Sequence, residues 1–272
     1  MRAEAIKARE TKPVANSYKR YISIIVIAAA LVGAAIFLKG LSLETPKLPL
    51  GSAIEKGVDW AIIYLSPILE TIKLWVSKVF VYIESTFLWL PWPVWILMVG
   101  ALGWYLTSLK CGLIVAGSLL LVQVLGLWNE AISTMALIGL AVILTIIVSI
   151  PIGILCARSN AFQGFLQPIL DAMQTIPGLV YLIPAVMLLG VGKVPAIIAT
   201  MIFAVPPAIR LTDLGLRQVS PAIKEAAIAF GASRWQLLIK VEIPLALKTI
   251  MTGINQSTMM SVSMVVIAAF IG

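Results

Sequence analysis

Long apolar runs separated by short polar breaks set the pattern of this chain from Ile22 onward. Ile22–Leu38 is uninterrupted and just long enough to cross a hydrocarbon core about 30 Å thick. Runs over about 93–108, 111–128, 131–157, 175–192, 194–210 and 246–271 predict further spans, about seven in all. Residues 162–172 predict a short helix or bend between two of them. Pro151, Pro177, Pro184, Pro206 and Pro207 fall inside spans. They are simple kinks or line a cavity, because lipid cannot satisfy the carbonyls they free.

The remaining segments differ in character. Residues 1–21 carry Arg2, Lys7, Arg9, Lys12, Lys19 and Arg20 and predict a basic tail, followed by an anchor at 22–38. That anchor is too long for a secretory signal and lacks a small-residue cleavage site. Lys39–Pro49 reads as a loop. In 52–86, Trp60, Ile63, Tyr64, Pro67, Ile68, Ile72, Trp75, Val79 and Tyr82 fall at helical spacing, interrupted by Asp59, Glu70, Lys73, Lys78 and Glu84. Such a helix lies along the membrane interface or clasps its neighbours rather than spanning lipid. Residues 93–272 form the core.

Charge orients the spans. With the basic tail in the cytoplasm, 39–92 falls outside, Lys110 and Arg158 fall inside, and the long polar stretch 211–245 falls inside with Arg217, Lys224, Arg234 and Lys240. Lys193, in an outer turn, is the exception.

Composition agrees with lipid. The chain of 272 residues is 61% hydrophobic and 12% charged, about half the charge of a soluble domain. The net charge of +8 sits at segment edges, which argues against nucleic acid. With no histidine, there is no Ser-His-Asp triad, H-E-x-x-H zinc site or His-ligated haem. Cys111 and Cys156 have no metal-ligand spacing and read as two buried thiols. Gly190-Val-Gly192-Lys193 comes nearest to a phosphate loop, but Met187 replaces the first glycine and Val194 follows the lysine. The chain is expected to hold no cofactor, metal or catalytic residue of its own.

Within 211–245, Ser220 and Pro221 predict a capped helix start, Gly231 its left-handed stop, and Ser233 the cap of a second helix carrying Trp235, Leu237, Leu238 and Val241 towards Pro244. Glu225-Ala226-Ala227, three residues, Gly231, nine residues and Val241-Glu242-Ile243-Pro244 resemble the EAA loop of ATP-binding-cassette importer permeases. That pattern is written E-A-A, three residues, G, nine residues, I-x-L-P; here Val241 and Ile243 are conservative changes. The resemblance implies that Glu225, Ala226, Ala227, Gly231, Ala232, Ser233, Arg234 and Pro244 couple the chain to an ATPase subunit. Small Ala226 and Ala227 permit close approach, Gly231 a sharp turn, and Glu225 and Arg234 fix register by charge.

Further residues are similar to the glycine betaine/proline betaine permeases: Leu90-Pro91-Trp92-Pro93, Pro168 to Pro177 with Asp171 and Gln174, Val180 to Pro184, Phe203 to Thr212, Ile254-Asn255-Gln256 and Ser263 to Ala268. The match covers roughly 48–272. It implies an all-α integral membrane protein with the type I importer fold, multi-pass in a bacterial or archaeal cytoplasmic membrane. Implied partners are two cytoplasmic ATPases carrying ATP and magnesium, an extracytoplasmic binding protein and a second, identical copy of the chain. The implied substrates are glycine betaine, proline betaine, choline, carnitine or trimethylamine N-oxide. Family chains run on past this point with a glycine-rich turn and more membrane sequence, so either sequence continues beyond Gly272 or this member is short.

With selectivity in the binding protein, the permease needs only a weakly polar path, for which Gln174, Thr175, Tyr181, Asn255, Gln256, Thr258 and Ser261 are the candidates. No acidic or basic residue reads as lying mid-membrane. An ion-coupled secondary transporter of the same solutes is the alternative; it would carry such groups or an inverted repeat.

Overall fold

The computed structural model describes residues 15–40 and 50–270; residues 1–14 of the tail, most of the loop at 39–49 and the final 271–272 lie outside them. All regular elements among the described residues are helices. Ala15–Gly40 forms α1, whose apolar residues from Tyr21 to Phe37 are exposed throughout. Leu50–Trp89 (α2), Trp92–Leu106 (α3), Leu109–Val124 (α4) and Trp128–Arg158 (α5) follow. Asn160–Thr175 (α6), Gly178–Leu189 (α7), Lys193–Arg217 (α8), Pro221–Ala229 (α9), Arg234–Leu237 (α10) and Ile243–Ala268 (α11) complete the order. Met1–Lys56 and Gly57–Gly272 are two compact units, the second holding the core.

That core is built on α8, which lies between α5 and α11. Many of its buried side chains are small or hydroxylated, among them Ala199, Thr200, Ala204, Ala208, Thr212 and Gly215, so backbones approach closely. On α5, Thr145, Ser149 and Gly153 recur every four residues and form one seam. The Thr145 hydroxyl donates to the Ala141 carbonyl at 2.8 Å and reaches Met201 O at 3.4 Å, and Ser149 donates to Val205 O at 3.3 Å. From α11, Ser257 donates to Ala204 O at 2.7 Å. The three acceptors on α8 lie in the turn before Pro206 and Pro207, so these hydroxyls tie α5 and α11 to α8 beside its two prolines. A Cβ on Gly153 would stand 2.6 Å from the Thr212 Cβ, so only glycine fits that crossing.

The sequence counts about seven spans. Among the described residues, Trp128–Arg158 and Lys193–Arg217 can each cross a membrane by length and apolarity, and two bent pairs raise the number to four if each is one broken span. One pair is Ile62–Trp89 with Trp92–Leu106, bent by 90°; the other is Asn160–Thr175 with Gly178–Leu189, bent by 100°. At 1.5 Å per residue α3 and α4 reach only roughly 22–24 Å, short of a ~30 Å core. α11 is long enough but carries a polar or small face along α8, and it falls outside that set.

The segment 52–86 belongs to α2. Its second half packs on the core: Phe80 is buried, and Val76, Ile83 and Phe87 lie against the same cluster as Leu137, Ala196 and Val265. At the corner after Trp89, Trp95 donates its indole N–H to Phe87 O at 2.9 Å and meets the Phe87 ring edge-on.

Gly190 and Gly192 form the turn between α7 and α8, both at positive φ. Lys193 donates to Glu84 at 3.0 Å and Ser133 at 2.7 Å and lies over the Phe80 ring. Its ammonium is thus committed to α2 and α5. Cys156 is buried, whereas Cys111 is only half-buried, because α4 packs through Gly112 and leaves its neighbour at the edge.

Candidate coupling hairpin and transport face

The hairpin after α8 is shorter than the expected 35-residue loop. α8 continues past 210 to Arg217, α9 occupies Pro221–Ala229, and from Arg234 the chain is helical without a break into α11. Hydropathy breaks at these charges, but Asp213 and Arg217 pair one turn apart and keep the helix going. α9 starts with Pro221 at its first position, where the fixed φ suits a helix. The Ser220 hydroxyl makes no cap bond, contrary to the sequence expectation.

Gly231 ends α9 at φ +81. Its N–H donates to Ile228 O at 2.9 Å and that of Ala232 to Ala227 O at 3.0 Å, a Schellman closure. Ser233 then forms a capping box with Gln236, at 3.3 and 2.9 Å. The second helix does not stop before Pro244. Leu238–Glu242 is a π turn leading directly into α11, with Pro244 in the first turn of α11. A proline crowds the preceding turn and removes one donor; the wider turn accommodates both, and Ile243 N–H reaches back to Leu238 O.

Glu242, in the π turn, anchors the hairpin. It is 2% exposed. Arg158, at the end of α5, makes two contacts to its carboxylate, one of them Nη1 to Oε1 at 3.3 Å. Lys224 of α9 places Nζ 3.3 Å from Oε1 and donates to Leu216 O at 3.1 Å. One enclosed carboxylate therefore ties α5, α9 and the root of α11. The sequence reading passed over Glu242 as the variable position of its motif; a lone acid between Val241 and Ile243 was the available signal.

α9 itself buries no residue. Glu225, Ala226, Gly231, Ser233, Arg234 and Pro244 are exposed, and Ala227 and Ala232 half-buried. Ile223, Ile228 and Trp235 are exposed around them, and Phe230 is 93% exposed. Exposed apolar side chains gathered on one hairpin are the kind of patch that interaction surfaces present.

A second polar region lies on α6. Asn160, Gln163, Gln167, Asp171 and Gln174 recur at three and four residues and form one stripe. Beside it Phe162, Leu166, Leu170 and Met173 pack on Cys156, Val205 and Ile209. Across the stripe stand Arg210, Asp213 and Arg217 of α8. Arg210 pairs with Asp171. Asp213 accepts from Gln163 Nε2 at 2.7 Å and Arg217 Nε at 2.7 Å. Arg217 also donates to Asn160 Oδ1 at 2.7 Å and Cys156 O at 2.6 Å. Between them is a cavity of about 210 Å3. At 1.5 Å per residue Asp171 stands roughly 16 Å along α6 and Arg210 roughly 10 Å back from Arg217.

The candidate path residues divide. Gln174 lies on the α6 stripe, and Thr175, exposed, donates to Ala172 O at 2.9 Å at the helix end. Tyr181 is a pin: its hydroxyl donates to Met173 O at 2.6 Å across the 100° bend, and its ring meets Phe203 edge-on. Thr258 and the buried Ser261 donate to Ile254 O and Ser257 O of their own helix, while Asn255 and Gln256 are exposed on α11. Tyr181→Phe is expected to cost about 0.5–1.5 kcal/mol and leave uptake nearly intact. Thermal unfolding and uptake of the variant check this; a collapse of uptake with unchanged unfolding would make Tyr181 a solute contact.

Residues 149–272 match the family described as binding-protein-dependent transport system inner membrane component. The glycine betaine/proline betaine transport system permease protein of Escherichia coli (strain K12) is 41% identical over 224 residues, 82% of this chain and 63% of that protein. The glycine betaine transport system permease protein of Bacillus subtilis (strain 168) is 39% identical over 227 residues, 84% of this chain and 80% of that protein. The glycine betaine/carnitine transport permease protein of Listeria monocytogenes serotype 1/2a (strain 10403S) is 40% identical over 235 residues, 84% and 82% of the two chains. The chain thus spans less than two thirds of the Escherichia coli protein and most of the other two.

Proposed function

This chain belongs to the binding-protein-dependent transport system inner membrane components, and we propose that it is the permease subunit of an ATP-driven importer for small methylammonium osmolytes. The substrates are of the glycine betaine, proline betaine, choline, carnitine and trimethylamine N-oxide class. The observation that carries the coupling role is the hairpin 218–244, whose apolar face is open while its root is tied by the enclosed Glu242.

In this reading two copies of the chain, type I in fold, surround a central path in a bacterial or archaeal cytoplasmic membrane. Two ATPase subunits, which carry ATP and magnesium, seat against Glu225, Ala226, Ala227 and Phe230 on the cytoplasmic side. An extracytoplasmic binding protein delivers the solute. When the ATPases close, α9 is displaced; Lys224, Glu242 and Arg158 pass that displacement to α5 and α11, which flank α8. An ion bond to an enclosed carboxylate suits this role, since it holds direction as well as distance.

The ion-coupled alternative gains one observation, the Arg210–Asp171 pair within the helices. Proteoliposomes holding the chain, its ATPase and its binding protein separate the two. Enclosed ATP is expected to drive glycine betaine uptake with no ion gradient. Uptake driven by a proton or sodium gradient and indifferent to ATP would remove the importer reading.

A further inference from the structure

Asp171 is 57% exposed and Arg210 35% exposed, and the two pair between α6 and α8. A charged side chain facing hydrocarbon costs several kcal/mol, so this face of α6 looks onto water. The Arg210 Nε is at the same time enclosed and has no hydrogen-bond partner, so the guanidinium is incompletely satisfied by Asp171. The adjoining cavity, about 210 Å3, is smaller than the ~300–1,000 Å3 of drug-sized pockets and suits a solute of amino-acid size. Arg210, Arg217 and Asp213 line it, and Asp171, paired with Arg210 at its edge, brings the charges into balance. Asp213 and Arg217 are held by Gln163, Asn160 and Cys156 O, which leaves the Arg210–Asp171 pair as the exchangeable one.

We infer that this cleft is a transit site for a small zwitterion, whose carboxylate takes Arg210 while its cationic end takes Asp171. The inference rests on the osmolyte-permease reading and names where the solute meets the chain. A zwitterion with its charges a few ångströms apart replaces the internal ion pair one for one, so no charge is left bare as it enters or leaves. A simple cation or anion satisfies one side and strands the other, which is costly in a confined site. Binding is weak for the same reason, because the pair competes with the solute, and weak binding is what conduction requires.

The full chain in lipid nanodiscs is tested by saturation-transfer NMR on the trimethylammonium protons of glycine betaine, with empty nanodiscs subtracted. A signal is expected in the wild type, and about tenfold weaker binding in Arg210→Gln and in Asp171→Asn, the loss of one charge-assisted contact. In the wild type, which needs no variant to fold, proline betaine is expected to displace the probe far better than tetramethylammonium or acetate. No wild-type signal, equal signals in both variants, or tetramethylammonium competing as well as proline betaine would overturn the site. ATP-driven uptake in proteoliposomes without a nanodisc signal removes the site and keeps the importer; a signal without ATP-driven uptake removes the importer and keeps the site.

Discussion

Gly231→Val is expected to abolish most ATP-driven uptake while the chain still folds and inserts. Gly231 sits at φ +81, a region that costs an L-residue about 1–2 kcal/mol and a β-branched one more. A Cβ there meets nothing within 4 Å, so the penalty is conformational and stays local. The Schellman closure gives way, α9 changes its angle to α10, and the docking face is no longer presented. A penalty of that size shifts the hairpin population by about 5–30-fold. Gly231→Asn, which tolerates the left-handed region, is expected to retain much of the uptake. The paired measurements are solute uptake and capture of the ATPase by the tagged chain from mild detergent. Wild-type uptake in the valine variant would end the assignment of this hairpin.

Substitutions around Glu242 are expected to have the second large effect, and an asymmetric one. Removing one partner of a buried pair costs about 3–5 kcal/mol when the other charge is left stranded. Glu242 is 2% exposed, while the Arg158 and Lys224 side chains are 45% and 28% exposed. Glu242→Gln therefore leaves two cations that can reach water, and the chain remains folded. The double change Arg158→Met with Lys224→Met leaves a carboxylate enclosed without a counter-charge and is expected to lower the unfolding temperature far more. In Glu242→Gln the visible defect is in coupling: α9 loses its tie, amide exchange over residues 221–229 rises, and uptake falls about tenfold, as loss of a charge-assisted bond predicts. Unchanged exchange in that variant would mean that the carboxylate does not hold the hairpin.

Much of the hairpin was legible in the sequence because its signals are local. Pro221, Gly231 and the Ser233–Gln236 box act through residues within one turn of themselves, and each does what its type dictates. Pro244 is less local in its effect. A proline usually marks a helix boundary, yet a π turn upstream absorbs it, and that adjustment depends on where the rest of α11 is held. Asp171 and Arg210 were inside quoted motifs without being recognised as a site, because their meaning depends on α6 and α8 lying side by side.

Composition and hydrophobic pattern were enough to determine a helical chain made for lipid, since low charge over 272 residues leaves no way to wet a globule. The spacing through Glu225, Gly231 and Pro244 was enough to point to the permease family, and the relatives and the family match over 149–272 bear that family out. Tertiary structure alone decided which polar residues act together. Ser261 and Thr258 are spent on their own helix, Tyr181 on a bend, and Ser257 on α8. Glu242 gathers Arg158 from 84 positions away, and Arg210 meets Asp171 across 39. The physical reason is range: helix starts, stops and amphipathic faces are written in neighbours a few residues apart, whereas ion pairs and cavities arise only when separate helices are packed.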